Sequence, residues 1–360
     1  MQFGGLAGAQ SPAITHSIFL IGDGGELYVK DDPISRRLPR HLASAPGDVI
    51  VLFLGDNIYP AGLPDRGHKH YAIAEQSLST QVGWISKAGV RGIFIPGNHD
   101  WQHWGRKGWD YILNQQAWLD SLRDPRITSL PRNGCPGPVQ IPLNAHTRLV
   151  ILDTQWFLHK WEKPTDRGTC GVTNLEEVML EVEEIFRSNP DERFIIAAHH
   201  PLITYGEHGG VFTWKAHLFP LHNKTRPKLY LPLPVLGSIY VLYRSWIGHR
   251  QDTPHPQYKQ FGRALQRIMR AYPNTLYAAG HEHALQYIVK DNIHYVVSGS
   301  ASKTEEVRRK DHAVFADHVR GYAVLSIYDN GAMDLAFWRV DDRLPEGVSV
   351  FTTSIPSPVR

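Results

Sequence analysis

Five times along this chain an apolar, β-branched run stops at a short polar string, in four cases opened by glycine. The runs are 17–21, 49–54, 92–95, 194–198 and 275–279. The strings are Gly22-Asp23-Gly24-Gly25, Gly55-Asp56-Asn57-Ile58-Tyr59, Gly97-Asn98-His99-Asp100, Ala198-His199-His200-Pro201 and Gly280-His281-Glu282-His283. Runs of this length and composition read as strands buried on both faces, as do 148–152, 293–298 and 322–327. Between them lie helical patterns. The clearest is 175–187, preceded by a capping-box pattern over Thr173 to Glu176 and stopped by Asn189-Pro190; weaker ones cover 71–87, 114–122 and 258–271. Alternating strands and helices predict an α/β fold, and helical crossovers bring strand C-termini to one edge, where loops build a site.

The strings converging on that edge supply Asp, Asp, Tyr, Asn and at least three His, the oxygen and nitrogen donors that two adjacent metal ions need. A lone Gly-Asp after a strand is a common turn. The Gly-x-His-x-His string is sharper, because in an extended segment His281 and His283 point the same way. As an ordered set the strings read as a binuclear metal hydrolase. Rival phosphate chemistries lack their marks: there is no Gly-Lys-Ser/Thr loop, Cys-x5-Arg cradle, His-Glu-x-x-His helix or Gly-x-Ser-x-Gly elbow. The net charge is +3 with acids and bases interspersed, so no nucleic-acid-binding stripe stands out.

The strings resemble those of the calcineurin-like metallophosphoesterases over roughly residues 16–285. Gly22-Asp23-Gly24-Gly25 and a tyrosine three residues after Asp56 are similar to purple acid phosphatases, and Glu207-His208-Gly209 to their small, animal-type members. The resemblance implies a four-layer αββα sandwich, two packed mixed sheets flanked by helices. It also implies that Asp23, Tyr59 and His283 bind one metal, Asn98, His199 and His281 the other, and Asp56 both. Phenolate and carboxylate suit Fe3+; amide oxygen and imidazoles suit a divalent Fe, Zn or Mn. His99, oriented by Asp100, would hydrogen-bond the phosphoryl group, and His208, tuned by Glu207, would protonate the leaving alkoxide. The expected reaction is phosphate monoester hydrolysis by metal-bound hydroxide on a small phosphorylated substrate. Phosphodiester or nucleotide pyrophosphate hydrolysis is the alternative, and a non-catalytic metal-containing binding module a more distant one.

Other features constrain less. Cys135 and Cys170 read equally as one disulfide or two free thiols. Residues 1–15 read as a leader without a basic-then-apolar export signal, 16–345 as one domain, and 346–360 as a C-terminal tail or linker. The proline-rich stretch 211–256 reads as an insertion without strong period, an irregular elaboration or a lid, with contact to a membrane surface or partner in view. Its apolar part, 230–247, is too broken by Pro232, Pro234, Gly237 and Arg244 to span a bilayer. His68, His70 and His103 read as solvated loop residues, Trp101 and Trp104 as packing or pocket wall, and Lys303 with Arg308, Arg309 and Lys310 as a solvated basic face. The subgroup resemblance implies export to the periplasm or medium, with the cytoplasm as the alternative.

Overall fold

A computed structural model describes residues 11–28, 31–221, 230–272 and 275–357. The expected leader thus lies outside the described residues up to position 10, as does 222–229 of the insertion. Strands β1 (Ile14–Ile21), β2 (Asp48–Phe53), β3 (Arg91–Phe94) and β4 (Ile127–Ser129) run parallel in one sheet. A second sheet, in the order β11-β9-β10-β8-β7-β6-β5, holds β5 (Val139–Asn144), β6 (Thr147–Ile151), β7 (Arg193–Ala197), β8 (Leu276–Ala279), β9 (Leu285–Lys290), β10 (Ile293–Ser298) and β11 (Ala313–Asp317). The chain then returns to the first sheet as an antiparallel meander beside β1: β12 (Gly321–Tyr328), β13 (Met333–Asp341) and β14 (Leu344–Ile355). The C-terminal stretch from Leu344 to Ile355 is thus an edge strand.

Alternate residues of the central strands serve two cores. Ile18, Leu20, Ile50 and Leu52 meet Leu149, Ile151, Ile195 and Leu276 between the sheets. Phe19, Val51, Phe53 and Phe94 face outward onto α1 (Pro33–Ser44) and α2 (Tyr71–Ala88). Strands covered on both faces have no polar side to alternate with, so they are continuous apolar runs. Each such buried side chain contributes about 1.5–3 kcal/mol. Next come α3 (Gly108–Ser121), against β4, and the short α4 (Gln155–Leu158) and α5 (Arg167–Cys170). The second sheet's outer face is covered by α6 (Leu175–Ser188); after α7 (Trp214–Leu218) and α8 (Pro234–Trp246) in the insertion, α9 (Pro256–Ala271) returns to that face. The layers are helix, sheet, sheet, helix, as expected.

Two local expectations shift. The N-cap of α6 is Asn174, not Thr173: it accepts from Glu177 N at 3.1 Å, and the Glu177 carboxylate returns to Thr173 N at 2.8 Å. The insertion contains the regular helix α8, most of whose apolar residues face outward, while Gly237, Val241 and Arg244 are buried. A pattern keyed to an inward apolar face does not register it. Cys135 and Cys170 are joined in a disulfide that ties the loop before β5 to the end of α5.

Two predictions follow from this packing. Removing the crosslink by Cys135→Ser with Cys170→Ser should cost about 2–4 kcal/mol of stability in urea unfolding; equal midpoints for both proteins would contradict the bond. His41 of α1 packs its ring 4.4 Å from Trp338 and 4.9 Å from Phe19, with Tyr322 Oη 2.7 Å from Nδ1. Burial, then the Arg37 charge, depress its pKa to about 4. Unfolded His41 therefore takes up its proton near pH 6.5, before folded His41 does, and stability should fall between pH 6.5 and about 4. In His41→Phe that slope should flatten, whatever the change in stability at neutral pH.

Candidate metal centre

The C-terminal ends of β1, β2, β3, β7 and β8 bring all five strings to one edge where the sheets meet. Gly22 N donates to Ser298 O across the sheets at 2.9 Å, and Asp23 N to Gly55 O at 3.0 Å. Three of the expected ligands turn the chain sharply with left-handed backbone: Asp23 (φ 59°), Asp56 (φ 53°) and His281 (φ 68°). That conformation costs about 1–2 kcal/mol per non-glycine residue. Gly55, at φ 88°, combines it with close approach, since a Cβ there would lie 2.5 Å from His199 Nδ1.

The seven side chains form two groups around one carboxylate. In the first, Tyr59 Oη donates to Asp23 Oδ1 at 3.0 Å and lies 3.2 Å from both Asp56 Oδ2 and His283 Nε2. One phenolic proton cannot serve two carboxylates and an imidazole. Burial, then Asp23 and Asp56, push the phenol well above its usual range; a cation there would reverse that sign. In the second group, Asn98 Oδ1 lies 3.0 Å from His199 Nε2 and 3.0 Å from His281 Nδ1, which are 3.2 Å apart. The other ring nitrogens donate to backbone carbonyls, His199 Nδ1 to Leu54 O at 2.7 Å and His281 Nε2 to Gln251 O at 2.8 Å. In neutral rings so oriented, the two facing ring nitrogens and the amide oxygen thus converge with lone pairs and no proton between them. Carbonyls that orient ligand imidazoles in this way are a regular part of metal sites.

Asp56 lies between the groups. Its Oδ1 is 3.4 Å from His199 Nε2, and its Oδ2 faces Tyr59. Burial opposes its ionisation, yet attraction to His199 and His99, with the His99 amide at 2.8 Å, holds its carboxyl well below the usual range. The donor set fits two cations sharing Asp56. His200 is excluded although its ring lies within reach of His199 and His281. Its Nδ1 is 2.8 Å from Thr154 Oγ1 and its Nε2 2.5 Å from Gln251 Oε1, so both nitrogens are engaged.

The two remaining histidines flank the cluster with partners other than those expected. His99 Nε2 is 3.8 Å from Asp56 Oδ2, and its Nδ1 donates to Pro60 O at 2.5 Å. Asp100 does not orient it; the buried Asp100 carboxylate holds the loops, accepting from Gly97 N at 2.8 Å and Asn57 Nδ2 at 3.0 Å. His208 packs 4.0 Å from the His281 ring and bonds through Nδ1 to Asp252 Oδ1 at 2.9 Å, not to Glu207. Arg244 of α8 bridges the two acids, meeting Asp252 through Nε at 2.8 Å and Glu207 at 3.1 Å. Burial opposes a proton on His208, but Asp252 and Glu282 raise its pKa above the usual value.

Several contributors are not among the expected site residues. Glu305 Oε1 approaches His283 Nδ1 at 3.3 Å, and Glu282 accepts from Thr204 Oγ1 at 2.9 Å and His208 N at 3.2 Å. Only the long spacing of Asp252 and Glu305 from any string hid them. His103 is exposed, as expected, but it also stacks on His99 at 4.1 Å. Trp101 is buried with Nε1 on Asp153, whereas Trp104 walls a cavity beside the cluster. Lys303 lies 3.3 Å over the Tyr59 ring and pairs with Glu26 at 3.1 Å, so it belongs to the site rather than to a solvated face.

The sequence matches the calcineurin-like phosphoesterase family over residues 17–285, and the chain belongs to that family. No curated protein matches it closely enough to report. Among solved structures it is similar to GAP50, the anchor in the inner membrane complex of Plasmodium (TM-score 0.60, 11% identity, covering 96% of this chain and 89% of that one). It is also similar to the purple acid phosphatase PPD1 from yellow lupin seeds (TM-score 0.55, 14% identity), covering 96% of this chain but only 54% of the lupin protein. At such identities the likeness is one of fold.

The glycine before Asn98 offers a direct check. A Cβ on Gly97 would lie 2.3 Å from both Asp56 N and Asp56 Oδ1. Gly97→Ala should therefore lose about 1–3 kcal/mol of stability and part of its bound metal. Gly83→Ala, in open space within α2, should gain about 0.5–1 kcal/mol with metal content unchanged. Full metal binding in Gly97→Ala would show that the cluster tolerates displacement of Asp56.

Proposed function

We propose that this calcineurin-like phosphoesterase is a phosphomonoesterase of the purple acid phosphatase type with a binuclear centre. In this reading Asp23, Tyr59 and His283 hold one ion, Asn98, His199 and His281 the other, and Asp56 both. The observation that carries it is the convergence of nitrogen and oxygen lone pairs on either side of Asp56, with both imidazoles already turned by carbonyl acceptors. Phenol and carboxylates on the Tyr59 side suit ferric iron, and amide oxygen with imidazoles on the other side suits divalent iron, zinc or manganese. Two cations bound there would generate a nucleophile from water at neutral pH and neutralise phosphoryl charge.

The chain's own groups complete the chemistry. His208, kept protonated by Asp252 and Glu282, is the proton donor to the departing alkoxide. His99, its Nδ1–H held by the Pro60 carbonyl and its pKa lowered by burial, presents Nε2 beside Asp56 as an acceptor in the neutral ring, and donates from it to a phosphoryl oxygen only when the ring takes up a second proton. Lys303 adds positive charge over Tyr59 at the mouth. The Cys135–Cys170 bond supports export into an oxidising compartment, in line with the subgroup resemblance.

Metal analysis, a visible spectrum and three substrates test the reading together. We expect two metals per chain, a tyrosinate-to-iron band lost in Tyr59→Phe, and turnover of a monoester above that of a diester or a nucleoside diphosphate. Asp56→Asn should lose metal pairing and activity together. His208→Ala should lower kcat by about 10²–10⁴-fold on an alkyl phosphate and far less on nitrophenyl phosphate, whose leaving group needs no proton. Preference for the diester or diphosphate would assign the alternative reaction. Metal binding without turnover of any of the three would leave a binding module.

A further inference from the structure

The insertion presents the most apolar exposed surface among the described residues. Along α8, Val235, Leu236, Ile239, Leu242 and Trp246 stand exposed at helical spacing, Val235 by 71% and Trp246 by 75%, with Trp214 of the adjoining α7 exposed by 64%. A contiguous patch of this kind marks an interaction surface. Thirteen residues make a helix about 20 Å long, too short for a bilayer core of about 30 Å. No helix among the described residues is long and apolar enough to cross a membrane.

Charge identifies the occupant. The sequence from 211 to 256 contains one acidic residue, Asp252, and it is buried against Arg244 and His208. Beside the apolar face, sharing Tyr243 with it, opens a cavity of about 510 Å³ lined by Trp104, Arg106, Lys160, Trp161 and Arg250 among others, with no carboxylate among the described residues of its wall. Arg106 and Lys160 each sit 4.5 Å over the Trp161 ring. His103, which also lines the cavity, stacks on His99 of the site. An apolar helix with interfacial tryptophans next to a cationic, aromatic hollow complements an anionic lipid surface. A second copy of the chain would instead bring those cations against one another.

We propose that α7 and α8 seat the protein on an anionic lipid bilayer, and that its substrate is a phosphomonoester carried by a lipid there, entering through the cationic cavity beside the metal centre. The substrate half of this inference rests on the phosphomonoesterase reading; the docking half does not. The hydrophobic tail stays at the α8 face while the phosphate reaches past His103 to His99.

The test uses the whole, metal-loaded chain and a Leu236→Glu, Ile239→Glu, Leu242→Glu variant, whose changes all lie on the exposed face. Sedimentation with phosphatidylcholine vesicles, with and without phosphatidylglycerol, reads docking; turnover of phosphatidic acid in those vesicles and of soluble nitrophenyl phosphate reads the substrate. We expect the wild type to bind the anionic vesicles. The variant should bind them about tenfold or more less tightly and lose phosphatidic acid turnover in proportion, with nitrophenyl phosphate turnover unchanged. No vesicle binding by the wild type, or a wild-type dimer in sedimentation that the variant dissociates, overturns the docking. Equal phosphatidic acid turnover by both proteins overturns the substrate assignment. Vesicle binding without turnover of either phosphomonoester would overturn the enzymatic reading and leave the docking standing.

Discussion

One carboxylate organises this molecule's working edge. Asp56 is buried, turned by left-handed backbone, and placed so that one oxygen faces His199 and the other faces Tyr59. A buried carboxylate must be matched by positive charge or hydrogen bonds. The loops after β2, β3, β7 and β8 are arranged to provide for that. Gly97 lacks a side chain because Asp56 occupies the space, and Asp100 pins the two neighbouring loops to each other through Gly97 N and Asn57. The glycines of the strings thus make room for the polar residues beside them.

How much of this could be read from sequence follows the range of each interaction. The central strands were legible because burial on both faces leaves nothing but apolar residues. Their polar termini were legible because every ligand candidate lies within six residues of a strand end. The groups that orient those candidates were less so. Asp252, Arg244 and Glu305 reach the site from segments with no motif of their own, and Pro60 and Gln251 act through backbone carbonyls, which no side-chain pattern records. The nearest acid in sequence was a poor guide in both cases: Glu207 and Asp100 turn away from the histidines next to them.

The insertion shows the same limit in another form. Helix α8 has most of its apolar residues outside and its arginine inside, so a search for an inward apolar stripe finds no helix. The buried Arg244 is nevertheless what connects the insertion to the cluster, since it holds Asp252 against His208 and Glu207 beside it. The inner face of α8 belongs to the chemistry and the outer face to the surroundings.

The hydrogen bond from His281 N to Asp23 joins positions 258 residues apart, and the contact of Tyr59 with His283 spans 224. Neither half of the cluster exists until both sheets have formed and closed on each other, because no local segment holds a complete ligand set. An ion bound at this cluster would therefore be captured only once the sheets have closed, and would pull the equilibrium toward the closed chain by mass action. It would act as a lock applied to a finished fold rather than as a seed around which it grows.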